Sequence, residues 1–223
     1  MASVCVTGGT GYIGSRLIPL LAARGHQVTA IVRPESEKKI PRDVSIVAAD
    51  PLKEDSYTSS IRGCDTFVHL IGVPHPSPAK AAQFRAIDLP SIQVAVKAAR
   101  EAEIRHFIYL SVAQPASMMQ AFIAVRAEGE KLIRASGLPA TFVRPWYVLG
   151  PSHWWPYVLV PFYWVAELLP ATRDSARRLG LITISQMLTI LIWAIENPPD
   201  EVRILDVPKI RELSRRDAVK PAL

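Results

Sequence analysis

Only two cysteines, Cys5 and Cys64, occur among the 223 residues. Neither has a C-x-x-C partner, which excludes a dithiol redox motif and a cysteine zinc site. A chain of this length can bury enough surface to hold a core without disulfides. Cys5 lies in an apolar run and reads as a small buried hydrophobe. The five histidines show no metal-ligand spacing with carboxylates or cysteines, so no metal is expected. There is no G-x-S-x-G elbow, no Lys-Ser/Thr pair to close a P-loop, and no carboxylate pair set for glycoside hydrolysis. Long apolar runs are also missing. The longest, Tyr157 to Ala166, contains Pro161 and falls far short of the ~20 residues that a spanning helix needs. No basic-then-apolar leader stands before the first apolar run, so a cytoplasmic location is the expectation.

Apolar residues make up 49% and charged residues 21%, which excludes disordered and collagen-like chains. The formal net charge of +6 raises the question of a nucleic-acid or membrane partner. The distribution argues against a nucleic acid. Lys209, Arg211, Arg215, Arg216 and Lys220 face only Glu212 and Asp217, so this short tail supplies +3 of the +6. No nucleic-acid reading motif accompanies the charge, and the remainder suits a phosphate-bearing cofactor.

Short Val/Ile-rich runs alternate with helical spacing through the first 145 residues. Strands are predicted at Ala2 to Val6, Gln27 to Val32, Val44 to Ala48, Thr66 to Ile71, His106 to Leu110 and Ala140 to Val143. Helices are predicted at Gly11 to Ala23, Glu54 to Ile61, Ala79 to Ala102 with a kink at Pro90, and Gln120 to Ala135. Strands apolar on both faces between helices predict an α/β fold with a doubly wound parallel sheet. After Arg144-Pro145 the rhythm breaks. A helix is predicted at Gln186 to Glu196 and a strand at Val202 to Asp206. The expected organisation is a dinucleotide-binding domain over 1–149, a small C-terminal region over 150–208, and a solvated basic tail over 209–223.

The segment Thr7-Gly8-Gly9-Thr10-Gly11-Tyr12-Ile13-Gly14 carries G-x-x-G-x-x-G spacing between the first strand and the first helix. Gly8 allows a tight turn, Gly11 lets the backbone approach a pyrophosphate, and Gly14 lets helix pack on strand. The helix N-terminus offers N–H groups and a positive dipole end to the phosphates.

With this loop, the runs V-R-P, A-A-D, F-V-H-L-I-G, F-I-Y-L-S-V and R-A-E-G-E make the chain resemble the extended and atypical short-chain dehydrogenase/reductase superfamily. Within it, the chain is similar to the NmrA-like regulators and to the dinucleotide-binding accessory subunit of respiratory complex I. The resemblance covers residues 2 to about 150 firmly, and it implies a Rossmann fold that binds NAD(P) through Gly8, Thr10, Gly11, Tyr12, Ile13 and Gly14.

The resemblance assigns further contacts. The residue after the second strand touches the adenosine ribose, and here it is Arg33 rather than a carboxylate. A guanidinium pairs with a 2′-phosphate, and Lys38, Lys39 and Arg16 add charge, so NADP(H) is expected over NAD(H). Asp50 is implied at the adenine amino group, or as a cap of the next helix, and Leu70, Ile71 and Gly72 flank the adenosine side. Arg126, at the Lys position, is implied at the nicotinamide ribose, and Pro145 is a further implied cofactor contact.

Most members of the superfamily carry Tyr-x-x-x-Lys, the Tyr transferring a proton and the Lys lowering its pKa. Aligning R-A-E-G-E with the family's K-A-E-G-E puts Arg126 at the Lys position and Phe122 at the Tyr position. Phenylalanine has no proton to transfer. Ser111, Arg126 and Tyr147 remain the candidate catalytic residues, with His75 nearby in sequence terms. The aromatic-rich segment His153 to Leu169 is expected to pack on the core, to line an apolar substrate pocket, or to lie in a membrane interface. Expected function is therefore hydride transfer to a small apolar carbonyl or quinone-like substrate, or dinucleotide binding without catalysis as a redox sensor or assembly and regulatory protein.

Overall fold

The computed structural model describes residues 1–53, 55–151, 158–170 and 172–218. Strands β1 (Ser3–Thr7), β2 (Gln27–Val32), β3 (Ser45–Ala48), β4 (Thr66–His69), β5 (His106–Leu110) and β6 (Ala140–Arg144) lie parallel. Two three-residue strands, β7 (Tyr147–Leu149) and β8 (Leu181–Thr183), pair separately. The last strand, β9 (Val202–Asp206), joins the main sheet, whose order is β3-β2-β1-β4-β5-β6-β9. The expected doubly wound parallel sheet is the observed one.

Alternation along β1 sorts the two faces. Val4 and Val6 pack with helix α1 (Gly14–Ala23), while Cys5 points to the opposite core. That opposite core is covered by α3 (Leu89–Glu101) and α4 (Gln120–Ser136), through Ile92, Ala95, Ala99 and Ile133. The short α2 (Ala81–Gln83) precedes α3 and is joined to it by a π-helical turn at Phe84–Asp88. Pro90 thus sits in the first turn of α3, where its missing N–H removes little, and the expected kink is this π turn. The turn carries Asp88 into the interior, where it is 2% exposed.

Helices α5 (Val160–Leu168) and α6 (Arg173–Arg178) follow β7, and α7 (Ile184–Glu196) opens on a Thr183–Gln186 capping box. Met187, Ile190, Leu191 and Ile195 of α7 pack in the same core as Val4 and Leu17, and β9 lies beside β6. Much of the region expected as a separate C-terminal piece over 150–208 therefore completes the Rossmann core. What stands apart from the main sheet is the β7–β8 pair with α5 and α6.

Two expectations are corrected. The polar segment Glu54 to Ile61 has only a 3-10 turn at Ser59–Ile61 among its described residues. Asp55 adopts φ 59°, and the Ser56 hydroxyl bonds the carbonyls of Asp50 and Lys53. Short polar side chains of this kind compete with helical hydrogen bonding. The basic tail expected from 209 is instead helical to residue 218, as α8 (Val207–Ala218). Val207, Ile210 and Ser214 fall on one buried face at helical spacing, which the surrounding basic residues obscure in the sequence. Residues 219–223 lie outside the described residues, and no helix of those described is long and apolar enough to cross a membrane.

Two strand histidines are buried. His69 Nδ1 lies 3.0 Å from Thr7 Oγ1 and its Nε2 3.2 Å from Ser91 Oγ, and His106 Nε2 lies 2.9 Å from Thr141 Oγ1. Burial, with Arg126 adding repulsion, pushes His69 from 6.5 down to about 3, and burial with Arg203 pushes His106 down to about 4. The folded state therefore binds fewer protons than the unfolded chain below the ordinary histidine pKa. Stability is full above about pH 6.5 and falls as the pH drops toward the folded pKa values. Each histidine is expected to remove about 2 kcal/mol by pH 5. Urea unfolding at pH 7 and pH 5 checks this, and His69→Gln should flatten the dependence by one proton.

Candidate functional site

The chain doubles back at the carboxyl ends of β1 and β4, because β2 and β3 lie on one side of β1 and β4, β5, β6 and β9 on the other. Ligands of open parallel sheets lie at such a reversal. The glycine loop is built around it. Gly8 has φ +75°, and a Cβ there would sit 2.8 Å from the carbonyl carbon of Leu70. A Cβ on Gly14 would strike Gly8 O and come within 2.7 Å of Gly9 Cα. Gly11 differs. It is exposed, its N–H donates to Gly8 O at 3.0 Å, and a Cβ would meet only that oxygen, at 3.2 Å. Gly8 and Gly14 thus keep loop, strand and helix in contact, while Gly11 keeps open the space above them.

That space is a cavity of about 310 Å³. Its walls are residues 8, 11–14, 70, 72–76 and 110–112, with Phe122, Arg126, Pro145, Trp146 and Val148. The structure brings together Gly8, Gly11, Tyr12, Ile13, Gly14, Leu70, Gly72, Arg126, Pro145 and Ser111 from the residues singled out in the sequence. Thr10, Arg33, Asp50 and Ile71 do not line it. Asp50 Oδ1 accepts the Leu52 N–H at 3.0 Å and so caps the turn after β3. Arg33 stands exposed after β2, its Nε 3.2 Å from Glu35. Arg16 donates to Tyr12 O at 2.7 Å and lies over the Tyr12 ring.

Tyr147 also lies outside the cavity walls, for a reason of strand geometry. Successive side chains of a strand point to opposite sides, so Trp146 and Val148 face the cavity and Tyr147, between them, does not. Burial raises its phenol above the ordinary value of 10. His75 does line the cavity, in a loop residue with φ 48°.

Helix α4 places Phe122 and Arg126 one turn apart on the cavity wall. Arg126 is 5% exposed. Its Nη1 donates to Leu110 O at 3.0 Å and to Ile71 O at 3.3 Å, and its Nη2 pairs with Asp88 Oδ2 at 3.2 Å. The guanidinium therefore ties the ends of β4 and β5 to the π turn. Burial raises the Asp88 carboxyl, against the pull of Arg126 and of the Val73 N–H, which donates to Oδ1 at 2.9 Å. A Cβ on Gly72 would strike Arg126 Nη2, so the loop lies directly on the guanidinium.

Ser111 is buried beside the cavity, and its hydroxyl donates to Glu130 Oε1 at 2.6 Å. Glu130 also accepts from Arg144 Nε at 2.8 Å and from Gln114 Nε2 at 3.2 Å. The Ser111 proton is thus directed away from the cavity. Glu130 and Asp88 are site residues that sequence reasoning passed over. Gly129 was the available signal for Glu130. A glycine inside a helix marks close approach, and here a Cβ would lie 2.6 Å from Tyr109 Oη.

A parallel sheet with a glycine-rich strand-to-helix loop at its reversal point defines a dinucleotide-binding protein of the Rossmann kind. A family model described as NAD(P)H-binding matches residues 8–151. The chain belongs to this NAD(P)H-binding family, within the extended and atypical short-chain dehydrogenase/reductase superfamily. Its cofactor is accordingly a nicotinamide dinucleotide. The chain is 27% identical over 151 residues to a ceramide reductase of Caulobacter vibrioides, covering 67% of this chain and 47% of that one. It is 25% identical over 170 residues to a 4-hydroxy-2-methyl-3-oxo-4-farnesyl-3,4-dihydroquinoline-1-oxide ketoreductase of Stigmatella aurantiaca, covering 65% and 50%. The chain thus spans about half the length of these relatives. Among solved structures it resembles the Bordetella bronchiseptica enzyme WbmH in complex with NAD+, with a TM-score of 0.68 at 17% identity over 100% of this chain and 83% of that one. These similarities support an oxidoreductase-like protein.

Proposed function

We propose that the chain binds NADP(H) in the cavity above β1, β4 and β5 and serves hydride transfer to an apolar quinone-like or carbonyl acceptor, with the proton drawn from solvent. The observation that carries this reading is the pair on α4. Phe122 and Arg126 stand on the cavity wall, at the two positions that the family resemblance aligns with the proton-transferring Tyr and the Lys. Bound NADPH would supply a hydride, which with one solvent proton reduces a quinone-like acceptor to the hydroquinone. The loop from Gly8 to Gly14 would hold the pyrophosphate, since its open side faces the cavity. Arg126 holds the Gly72 loop in place, and Phe122 keeps water from one wall. The two relatives named as reductases support the reaction class, and their names give a ceramide and a farnesyl-bearing ring as their substrates.

The second reading is a non-catalytic dinucleotide-binding sensor or assembly and regulatory protein. Phe122 has no proton to give and the Ser111 proton is committed to Glu130, which favours it. Calorimetric titration with NADPH, joined to NADPH oxidation against quinones and ketones, separates the two. Quinone turnover with ketone turnover lower by about 10²–10⁴-fold is expected, since general acid–base help is worth that factor. Binding without turnover of any acceptor would favour the second reading. Fast ketone turnover needing one acid near neutrality would overturn both.

For the phosphorylated cofactor the supporting feature is Arg33, with Lys38 and Lys39 in the exposed turn after it. Losing one charge-assisted contact costs about 1.5–3 kcal/mol. Arg33→Ala should therefore weaken NADPH about ten- to a hundredfold and NADH little. Glu35, 3.2 Å from Arg33, competes for the same guanidinium, so Glu35→Ala should tighten NADPH. Equal losses of both cofactors in Arg33→Ala would assign the 2′-phosphate elsewhere.

A further inference from the structure

Exposed large apolar side chains concentrate on and around one helix. On and around α5, Phe162 is 69% exposed, Val165 58%, Leu168 74% and Leu169 53%, with Val158 at 62% just before the helix. Residues 158, 162, 165 and 169 follow helical spacing and form one stripe, which Leu168 widens. The opposite side of α5 is anchored. Tyr163 interacts with Trp146 of the cavity wall, and Glu167 pairs with Arg211 of α8 at 3.0 Å. The turn into α6 is fastened as well. The Thr172 hydroxyl donates to Ala166 O at 2.8 Å, and Arg173 donates to the carbonyls of Glu167 and Leu168. The stripe is thus the outward face of a helix already seated on the domain, and an apolar surface so arranged marks an interaction site.

Charge identifies what covers it. Helix α6, which borders the stripe at Phe162, carries three basic residues against one acidic, and Arg173 and Arg177 are exposed. We propose that α5 docks on a bilayer containing anionic phospholipid, with the stripe in the acyl–headgroup boundary and Arg173 and Arg177 of α6 on the lipid phosphates. An apolar helix face bordered by cations is the arrangement that binds such a surface. A second copy of the chain would meet the stripe with the same positive excess and be repelled by it. The proposal does not depend on the proposed reaction, since docking is read without cofactor.

The test is co-sedimentation of the full chain with vesicles of phosphatidylcholine alone or of phosphatidylcholine with phosphatidylglycerol. The native chain is expected to pellet with the anionic vesicles and to bind phosphatidylcholine alone at least about tenfold more weakly. F162S/L168S, both outward-facing, should lose about tenfold or more on the anionic vesicles while its thermal unfolding stays cooperative. Arg177→Glu, which leaves the stripe intact, should weaken anionic binding and leave phosphatidylcholine binding unchanged. A native chain that stays in the supernatant with anionic vesicles overturns the proposal. So does F162S/L168S pelleting like the native chain. A native dimer that F162S/L168S returns to monomer, without vesicle binding, would replace the bilayer by a second copy.

Discussion

Arg126→Ala is expected to destabilise the fold by about 3–5 kcal/mol, the range for breaking a buried ion pair from one side. The loss has three sources on this structure. Asp88, 2% exposed, keeps a carboxylate without its countercharge, and the carbonyls of Ile71 and Leu110 lose their donor. Asp88→Ala should cost a similar amount, since it strands the guanidinium and the Val73 N–H together. Arg126→Met combined with Asp88→Asn should cost clearly less than these same two substitutions made singly and added, because the double removes both charges and keeps an acceptor for Val73. Urea unfolding of the native chain, the Arg126→Met and Asp88→Asn single variants and their double gives the coupling directly. Additive losses would mean that the pair is not the fastening between the π turn and the strand ends. Dinucleotide affinity should fall alongside stability in Arg126→Ala, since the Gly72 loop rests on that side chain.

Gly11→Val is expected to abolish dinucleotide binding, by at least about a hundredfold, while leaving the fold in place. The β-carbon meets only Gly8 O at 3.2 Å, so the backbone has little to adjust, and the branched methyls project into the cavity. Gly14→Ala should do the reverse. Its β-carbon runs into Gly8 O and Gly9 Cα, so α1 must shift from the loop and thermal stability should fall sharply. Calorimetric titration and thermal unfolding of both variants separate the two roles. Unchanged affinity in Gly11→Val would remove the pyrophosphate from this loop. A folded, binding Gly14→Ala would show that the close packing of loop on helix is dispensable.

The order of strands and helices was readable in the chain because both signals are local. Cys5, between Val4 and Val6, is apolar on both faces of β1, as a strand covered from both sides must be. The glycine spacing and the Phe122–Arg126 interval are local too, so the loop and the missing proton donor could be named from residue numbers alone. The basic tail was misjudged because its charges outnumber the few buried positions, Val207, Ile210 and Ser214, that seat α8.

Sequence by itself determined the parallel α/β architecture, the glycine loop and the absence of the Tyr-x-x-x-Lys pair. Only the tertiary structure decided what the charged and hydroxyl groups around that loop are bound to. Glu128 and Glu130 flank the same Gly129, and only the tertiary approach of that glycine to Tyr109 decides that Glu130 is the one buried, against Ser111 and Arg144. Asp88 becomes the partner of Arg126 because a π turn rotates it inward, 38 residues away along the chain. Tyr147 leaves the cavity because the pleat of β7 turns it to the side opposite Val148, which lines the wall. The environment of a polar side chain depends on which distant elements close around it, and that is fixed by packing rather than by the residues beside it in sequence.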